Sequence, residues 1–229
     1  MVAKKSMKQE SNSSETFHLL LKHFLKVAYL LSHKKGSFSV IDFSNILNRT
    51  SDEGKSLLSV LKGLNMVNTV SQPSDHYKIT SGGKNNLKIV LTGGVFDIVH
   101  LGHINTLKEA KNLGDILIVV IASDKTVEIS KGRPPLNTQD NRVELLSYLK
   151  IVDLVVKGDP DPQKFLESVI QYSPDIIAIG NDQSLTEAEL INQLSDKELD
   201  DIEVIRLNTK IPNEKSSIKL KGLDKHSFD

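Results

Sequence analysis

The chain contains no cysteine among its 229 residues. Disulfides, thiolate metal sites and cysteine nucleophiles are therefore excluded, a usage that fits an intracellular protein. No run of about 18 apolar residues occurs, so no segment reads as a membrane-spanning helix. The start, MVAKKSMKQESNSS, has charge but no apolar core and does not read as a signal peptide. The expected location is the cytoplasm. Net charge is also lacking, at 29 Lys+Arg against 29 Asp+Glu, but the balance conceals a split. Residues 1–86 hold 12 basic and 6 acidic side chains, whereas residues 87–229 hold 17 and 23. The sign changes beside the glycine-rich SGGKNN, which argues for two domains.

Two familiar glycine motifs are missing as well. Neither the G-x-G-x-x-G of dinucleotide folds nor the G-K-[ST] of a P-loop is present where the glycines cluster. What stands there is KIVLTGGVFDIVHLGHINTLKEAKNLG, from Lys88 to Gly114. Ile89 to Thr92 is a short β-rich apolar run with the pattern of a buried strand. Gly93 and Gly94 break it, and a compact turn carries Phe96, Asp97, His100 and His103. From Gly102 onward, Ile104, Leu107, Ala110 and Leu113 fall at helical spacing, with Gly114 expected as a left-handed C-terminal cap. Strand, glycine turn and helix N-terminus in that order make a phosphate site, because free N–H groups and the positive dipole end face the ligand.

The rest of the chain divides around this stretch. Residues 1–14 read as a disordered tail, and Glu15–His33 as a helix with Phe17, Leu20, Leu21, Phe24, Leu25, Ala28 and Leu31 on one face. A short helix over 40–47, a third helix capped by Ser51, and two strands around a Gln-Pro-Ser-Asp turn give residues 15–83 the pattern of a winged helix-turn-helix. Arg49, Lys55, Lys62 and Lys84 are its candidate phosphate contacts to DNA. Two acids at the start of the third helix suit a dimerisation or packing module instead, so DNA and a second copy both stand as partners. Residues 84–87 read as a linker.

Beyond Gly114, apolar strands alternate with helices: 115–121, 152–156, 175–179 and 202–207, with helices capped by Thr138 and near Thr186. Such alternation means right-handed crossovers and a doubly wound parallel α/β sheet. Residues 122–135, ending in Lys131-Gly-Arg-Pro-Pro135, read as a long polar connection. Ligands of these sheets bind beyond the carboxyl ends of the strands, where the polar loops fall.

Gly94-Val95-Phe96-Asp97-Ile98-Val99-His100-Leu101-Gly102-His103 resembles the signature of the cytidylyltransferase-like nucleotidyltransferases. The resemblance covers residues 88 to 220. With KGRPP, the Arg142 that follows it, and PDIIAIGNDQ, it is nearest to the archaeal FAD synthetases, which adenylylate FMN with ATP. It implies a Rossmann-like nucleotidyltransferase domain over 88–222, a short tail over 223–229, ATP and FMN as substrates, and Mg²⁺ with the triphosphate. His100, His103 and Lys131 are its expected catalytic residues. Gly94, Val95, Phe96, Leu101, Gly102, Arg133 and Asp182 are expected at the nucleotide together with the two histidines. Ser216 and Ser217, in Lys215-Ser-Ser-Ile-Lys219, align with a late triphosphate motif, and no protein metal ligand is expected. Val95 stands where many relatives have Thr, so one hydroxyl contact is absent. Two rivals remain open: a cytidylyltransferase acting on a polyol phosphate such as glycerol 3-phosphate, and a DNA-binding regulator whose second domain senses a nucleotide.

Overall fold

A computed structural model describes residues 2–208 apart from 74, 162, 163 and 182, and describes 2–14 by backbone alone. The chain divides into two compact units, one ending at Leu87 and the other beginning at Lys88. The break coincides with the change in charge sign.

In the first unit, α1 (Val2–Lys35), β1 (Phe38–Ser39), α2 (Val40–Leu47) and α3 (Ser51–Gly63) precede β2 (Val67–Thr69), β3 (His76–Ile79) and the one-turn α4 (Ser81–Lys84). Helix α1 takes in the segment expected as a tail, whose Ala, Lys, Gln and Glu are good helix formers. Its buried stripe begins later than the sequence pattern suggests. Leu25, Ala28, Tyr29 and Leu31 are buried, but Phe17 and Leu20 are exposed. The cap of α3 is Thr50 rather than Ser51. Thr50 Oγ1 accepts from the Glu53 N–H at 3.3 Å while Glu53 accepts from the Thr50 N–H at 2.8 Å, a reciprocal capping box. Gly54 lets α3 close on α2, since a Cβ there would lie 1.9 Å from Ser44 Oγ. The three strands form an antiparallel sheet in the order β1-β3-β2.

The second unit runs β4 (Ile89–Gly94), α5 (Leu101–Lys111), β5 (Ile116–Ile121), α6 (Asp124–Lys131), α7 (Gln139–Ser147), β6 (Leu154–Lys157), α8 (Phe165–Tyr172), β7 (Ile176–Ile179), α9 (Glu187–Ser195) and β8 (Glu203–Arg206). All strand pairs are parallel and the order is β6-β5-β4-β7-β8, the α/β fold expected. Strand β4 is central. The winding leaves it toward β5 and β6 on one side and resumes at β7 and β8 on the other, so the switch point lies between β4 and β7. Burial on both faces explains the unbroken apolar reading of Ile116–Ile121. On one face Val90, Leu117, Val119, Ile176 and Ala178 pack with Leu107 and Ala110 of α5 and Leu146 of α7. Truncating one such leucine costs about 2–5 kcal/mol.

Carboxylates pin the amino ends of the strands. Asp115 accepts from the Lys88 N–H at 2.8 Å, Asp175 from the Ile89 N–H at 2.6 Å, and Asp153 from the Leu117 N–H at 2.8 Å. That edge is committed to structure, which leaves the carboxyl edge for chemistry.

Two sequence expectations need correction here. Residues 124–131 are a helix, α6, capped by Ser123 and stopped by Gly132 at φ 68, so only Gly132 to Pro135 of KGRPP is loop. Gly114 is not a left-handed cap, because α5 ends at Lys111 with Asn112 as its C-cap. Gly114 is required by crowding instead: a Cβ would sit 2.5 Å from the Lys88 carbonyl oxygen. Among the described residues no helix is long and apolar enough to cross a membrane.

Candidate functional site

Strand β4 delivers its last residues to the carboxyl edge, and the turn after it is tightly determined. Phe96 adopts φ 51, the left-handed region that a bulky residue rarely enters. Its ring folds back over Gly94, where a Cβ would meet Phe96 Cε2 at 2.5 Å. Glycine at 94 is the condition for that turn.

The turn hands the chain to α5 through a histidine cap. His100 Nδ1 accepts from the Gly102 N–H at 3.1 Å, and the His100 N–H donates to His103 Nδ1 at 3.4 Å. The two rings stand 4.0 Å apart, and His103 lies 5.2 Å from Phe96. Each Nδ1 thus serves as an acceptor, so this network assigns the hydrogen of a neutral ring to Nε2. Nε2–H donors at a helix N-terminus are chemically suited to an anion.

Asp97 faces inward. It is buried, and its Oδ1 accepts from the Leu136 and Asn137 N–H groups at 2.8 and 2.9 Å. Asn137 Nδ2 donates to the Asp97 carbonyl at 2.6 Å, and Arg133 Nη2 lies 3.9 Å from Asp97 Oδ2. The aspartate therefore ties the loop after α6 to the histidine turn and brings Arg133 to it. Lys131 is exposed at the end of α6, two residues earlier. Leu101 and Gly102 open α5. Gly94, Val95, Phe96, His100, His103 and Arg133 converge on one edge of the unit. Asp182, Ser216 and Ser217 lie outside the described residues.

Three residues make contacts that the sequence reading does not assign, although Arg142 and Gln183 stand in the segments that carry the resemblance. Arg142 is 1% exposed on α7. Its Nε donates to the Asn137 carbonyl at 3.0 Å, Nη1 to the Val95 carbonyl at 2.6 Å, and Nη2 to Asp124 Oδ1 at 2.6 Å. The available signal was its position, one helical turn before the buried Leu146. Gln183 Nε2 donates to the Gly93 carbonyl at 2.6 Å and so links the loop after β7 to β4. Arg206 holds that same loop, donating to the carbonyls of Gly180 at 3.1 Å and Leu185 at 2.5 Å. The Arg206 hydrogen bond also keeps the Glu187 carboxyl below its usual range.

Beside the turn opens a pocket of about 210 Å³. Gly93, Gly94, Val120, Phe165, Ile177, Ile179 and Leu190 give it apolar walls, with Thr126, Asp159, Asp161 and Gln183 as the polar groups. Because Gly94 belongs to both, pocket and histidine turn are contiguous. Among the described residues no group of three or more His, Asp or Glu is placed to hold a metal ion.

Residues 91–222 match a family described as cytidylyltransferase-like. The FAD synthase of Thermococcus sibiricus is 52% identical over 118 residues, which cover 52% of this chain and 78% of that protein. The FAD synthase of Pyrococcus horikoshii is 47% identical over 118 residues with the same coverage. Among solved structures, the lipopolysaccharide core biosynthesis protein from Thermoplasma volcanium superposes with a TM-score of 0.51 at 38% identity. That match covers 55% of this chain and 99% of the other.

Proposed function

The chain belongs to the cytidylyltransferase-like family, and on that footing we propose that it transfers AMP from ATP to FMN, giving FAD and pyrophosphate. It is a nucleotidyltransferase. Its similarity to two archaeal FAD synthases supports ATP and FMN as the substrate pair. The observation that carries the reading is the reciprocal capping of α5 by His100 and His103, beside an apolar pocket.

In the proposed reaction a phosphate oxygen of FMN attacks the α-phosphorus of ATP. The bond from that phosphorus to the bridging oxygen breaks, and pyrophosphate leaves with the electron pair. Little covalent help is needed; alignment and charge stabilisation supply the rate. We assign the Nε2–H groups of His100 and His103 to oxygens that gain charge in the transition state. Backbone from Gly94 to Phe96 and at Leu101 and Gly102 lies against the nucleotide in this reading, and Lys131 and Arg133 meet the triphosphate. Asp182, Ser216 and Ser217 are assigned to the nucleotide by likeness alone. A divalent ion enters with the triphosphate as part of the substrate, since Mg²⁺ keeps mainly water and phosphate oxygens as ligands.

The apolar walls favour a flat aromatic acceptor over a polyol, because a polyol would lose its water against Val120, Phe165 and Ile179 without replacement hydrogen bonds. Asp159, 3.8 Å from Lys164, and Asp161 make this wall acidic, which favours the histidine turn over it for the acceptor's phosphate in this reading. ATP and FMN as substrates support a cytoplasmic reaction. The test is pyrophosphate release with each nucleoside triphosphate, Mg²⁺ and a panel of phosphorylated acceptors. ATP with FMN is expected to be fastest; CTP with glycerol 3-phosphate outpacing it would overturn the assignment.

We read the first unit as a winged helix-turn-helix, supported by its α1-β1-α2-α3-β2-β3 order and β1-β3-β2 sheet. Its excess of basic residues supports DNA as a partner. Among the candidate contacts, Arg49 lies 3.7 Å from Glu53, and Lys62 reaches Thr69 at 3.3 Å. Binding that weakens steeply with salt would support DNA, and a flat salt response with a doubled mass would point to a homodimer.

A further inference from the structure

We infer that Arg142 is a positioning residue for the transfer reaction, holding the histidine turn and both ends of the Lys131–Arg133 segment with one buried guanidinium. The inference rests on the proposed reading of Lys131 and Arg133 as triphosphate contacts.

The geometry is specific. Toward one end of the segment, Nη2 pairs with Asp124 in the first turn of α6, the helix that ends at Lys131. Toward the other, Nε binds the carbonyl of Asn137, whose own N–H is bound by Asp97. The third donor, Nη1, binds the Val95 carbonyl at 2.6 Å. Val95 immediately precedes Phe96, the residue at φ 51 whose ring lies against Gly94 and near His103. Val95 and Arg142 are 47 residues apart in sequence, so only the fold brings them together.

Stability alone does not account for this residue. A buried ionic contact is often replaceable by a well-packed apolar side chain without loss. Leu146, one turn along the same face of α7, is such a side chain and is fully buried. The guanidinium offers something a leucine lacks: planar donors in a fixed fork, each spent on a different segment. Lysine keeps the charge and three donors, but on a single nitrogen, so it cannot span the three acceptors that Nε, Nη1 and Nη2 reach separately.

The experiment compares full-length wild type, Arg142→Lys, Asp124→Asn and the double variant Arg142→Lys with Arg133→Gln. Thermal melting reports folding. Hydrogen exchange without nucleotide is read at the Leu136 and Asn137 amides, which Asp97 binds and Arg142 supports from the other side. Steady-state kinetics use whichever triphosphate and acceptor wild type turns over fastest. In Arg142→Lys, exchange at these amides is expected to rise about tenfold through local opening. Turnover should fall about 10²-fold, the scale of a small misplacement of catalytic groups, with KM for the acceptor little changed. Asp124→Asn, which removes the charge of one half-exposed partner but keeps an acceptor oxygen, should show the same pattern more weakly. The double variant should be no worse than Arg142→Lys alone, because Arg133 is already misplaced there. Unchanged exchange in both single variants, or fully multiplicative losses in the double variant, overturns the inference. Should Arg142→Lys fail to fold, Asp124→Asn decides by its exchange. A wild type that prefers another substrate pair overturns the proposed function and leaves the exchange result to judge Arg142.

Discussion

His100 and His103 are joined through the start of α5: the His100 N–H donates to His103 Nδ1 at 3.4 Å, and their rings lie 4.0 Å apart. Each histidine is therefore both a structural cap and a candidate donor to substrate, and the two roles use different ring nitrogens. Asparagine separates them at position 100. It is a preferred N-cap and can accept the Gly102 N–H, but it cannot reach where Nε2 reaches. We expect His100→Asn to melt like wild type while turnover falls about 10²–10³-fold, the range for one preorganised donor. His100→Ala should lose the same turnover and, in addition, about 1 kcal/mol of stability from the missing cap. Near wild-type turnover in His100→Asn would remove His100 from the chemistry.

A second expectation concerns the turn itself. Gly94→Ala places a Cβ where the Phe96 ring now lies, 2.5 Å from Cε2. The ring must move, and Phe96 is buried at φ 51 with few conformations open to it. Overpacking of this kind costs about 1–3 kcal/mol. Since Phe96 also lies 5.2 Å from His103, turnover should fall alongside stability. Urea unfolding and kcat on the same preparation check both; an alanine variant as stable and active as wild type would show that the turn has slack.

Much of this site was legible because its physics is local. A β-rich run, paired glycines and a helical repeat mark β4, the turn and α5 within 27 consecutive residues, Lys88 to Gly114. Helix α6 was not legible in the same way. Val127 is its only buried residue, so it lacks an apolar repeat, and only Ser123, Asp124 and Gly132 mark its ends. Gly114 misled for a related reason: a glycine after a helix is usually a left-handed cap, and here crowding against Lys88 selects it instead. Arg142, Gln183 and Arg206 act on carbonyls 47, 90 and 26 residues away, contacts that no local pattern carries.

The role of Asp97 gives a third expectation. Its Oδ1 accepts two backbone N–H groups and its Oδ2 lies toward Arg133, all from a buried position. Asp97→Asn keeps an amide oxygen for the N–H pair but removes the charge facing Arg133. It should cost about 1 kcal/mol, the net scale of one ordinary hydrogen bond. Asp97→Ala leaves the Leu136 and Asn137 N–H groups without their acceptor and should cost more, about 2–3 kcal/mol. Chemical denaturation orders the two. Equal stability of Asp97→Ala and wild type would mean that the loop after α6 is not held through this carboxylate.

The last expectation is a pH dependence in the first unit. His33 lies with its ring 4.2 Å from that of Tyr29 on α1, and its pKa is lowered from 6.5, first by burial and then by Lys78 and Lys84. A lowered folded pKa means that the unfolded chain binds the proton more readily. The stability contributed by neutral His33 is therefore complete above 6.5 and drains away as pH falls from there toward the folded pKa. We expect the first unit to weaken as pH is lowered through the range just below 6.5, before most carboxylates titrate. Asp42 acts in a lower window: its hydrogen bond from Lys35, with the Ser39 N–H next, brings it from 3.8 to about 2, so its contribution is lost only as pH falls below 3.8. The upper window opens at 6.5 and the lower one at 3.8. Urea unfolding followed by far-ultraviolet circular dichroism at successive pH values measures the slope, and His33→Phe removes the titrating group while keeping a ring beside Tyr29. The variant should flatten the upper window and leave the lower one in place. An unchanged slope between neutrality and the carboxylate range in His33→Phe would assign that dependence to another histidine.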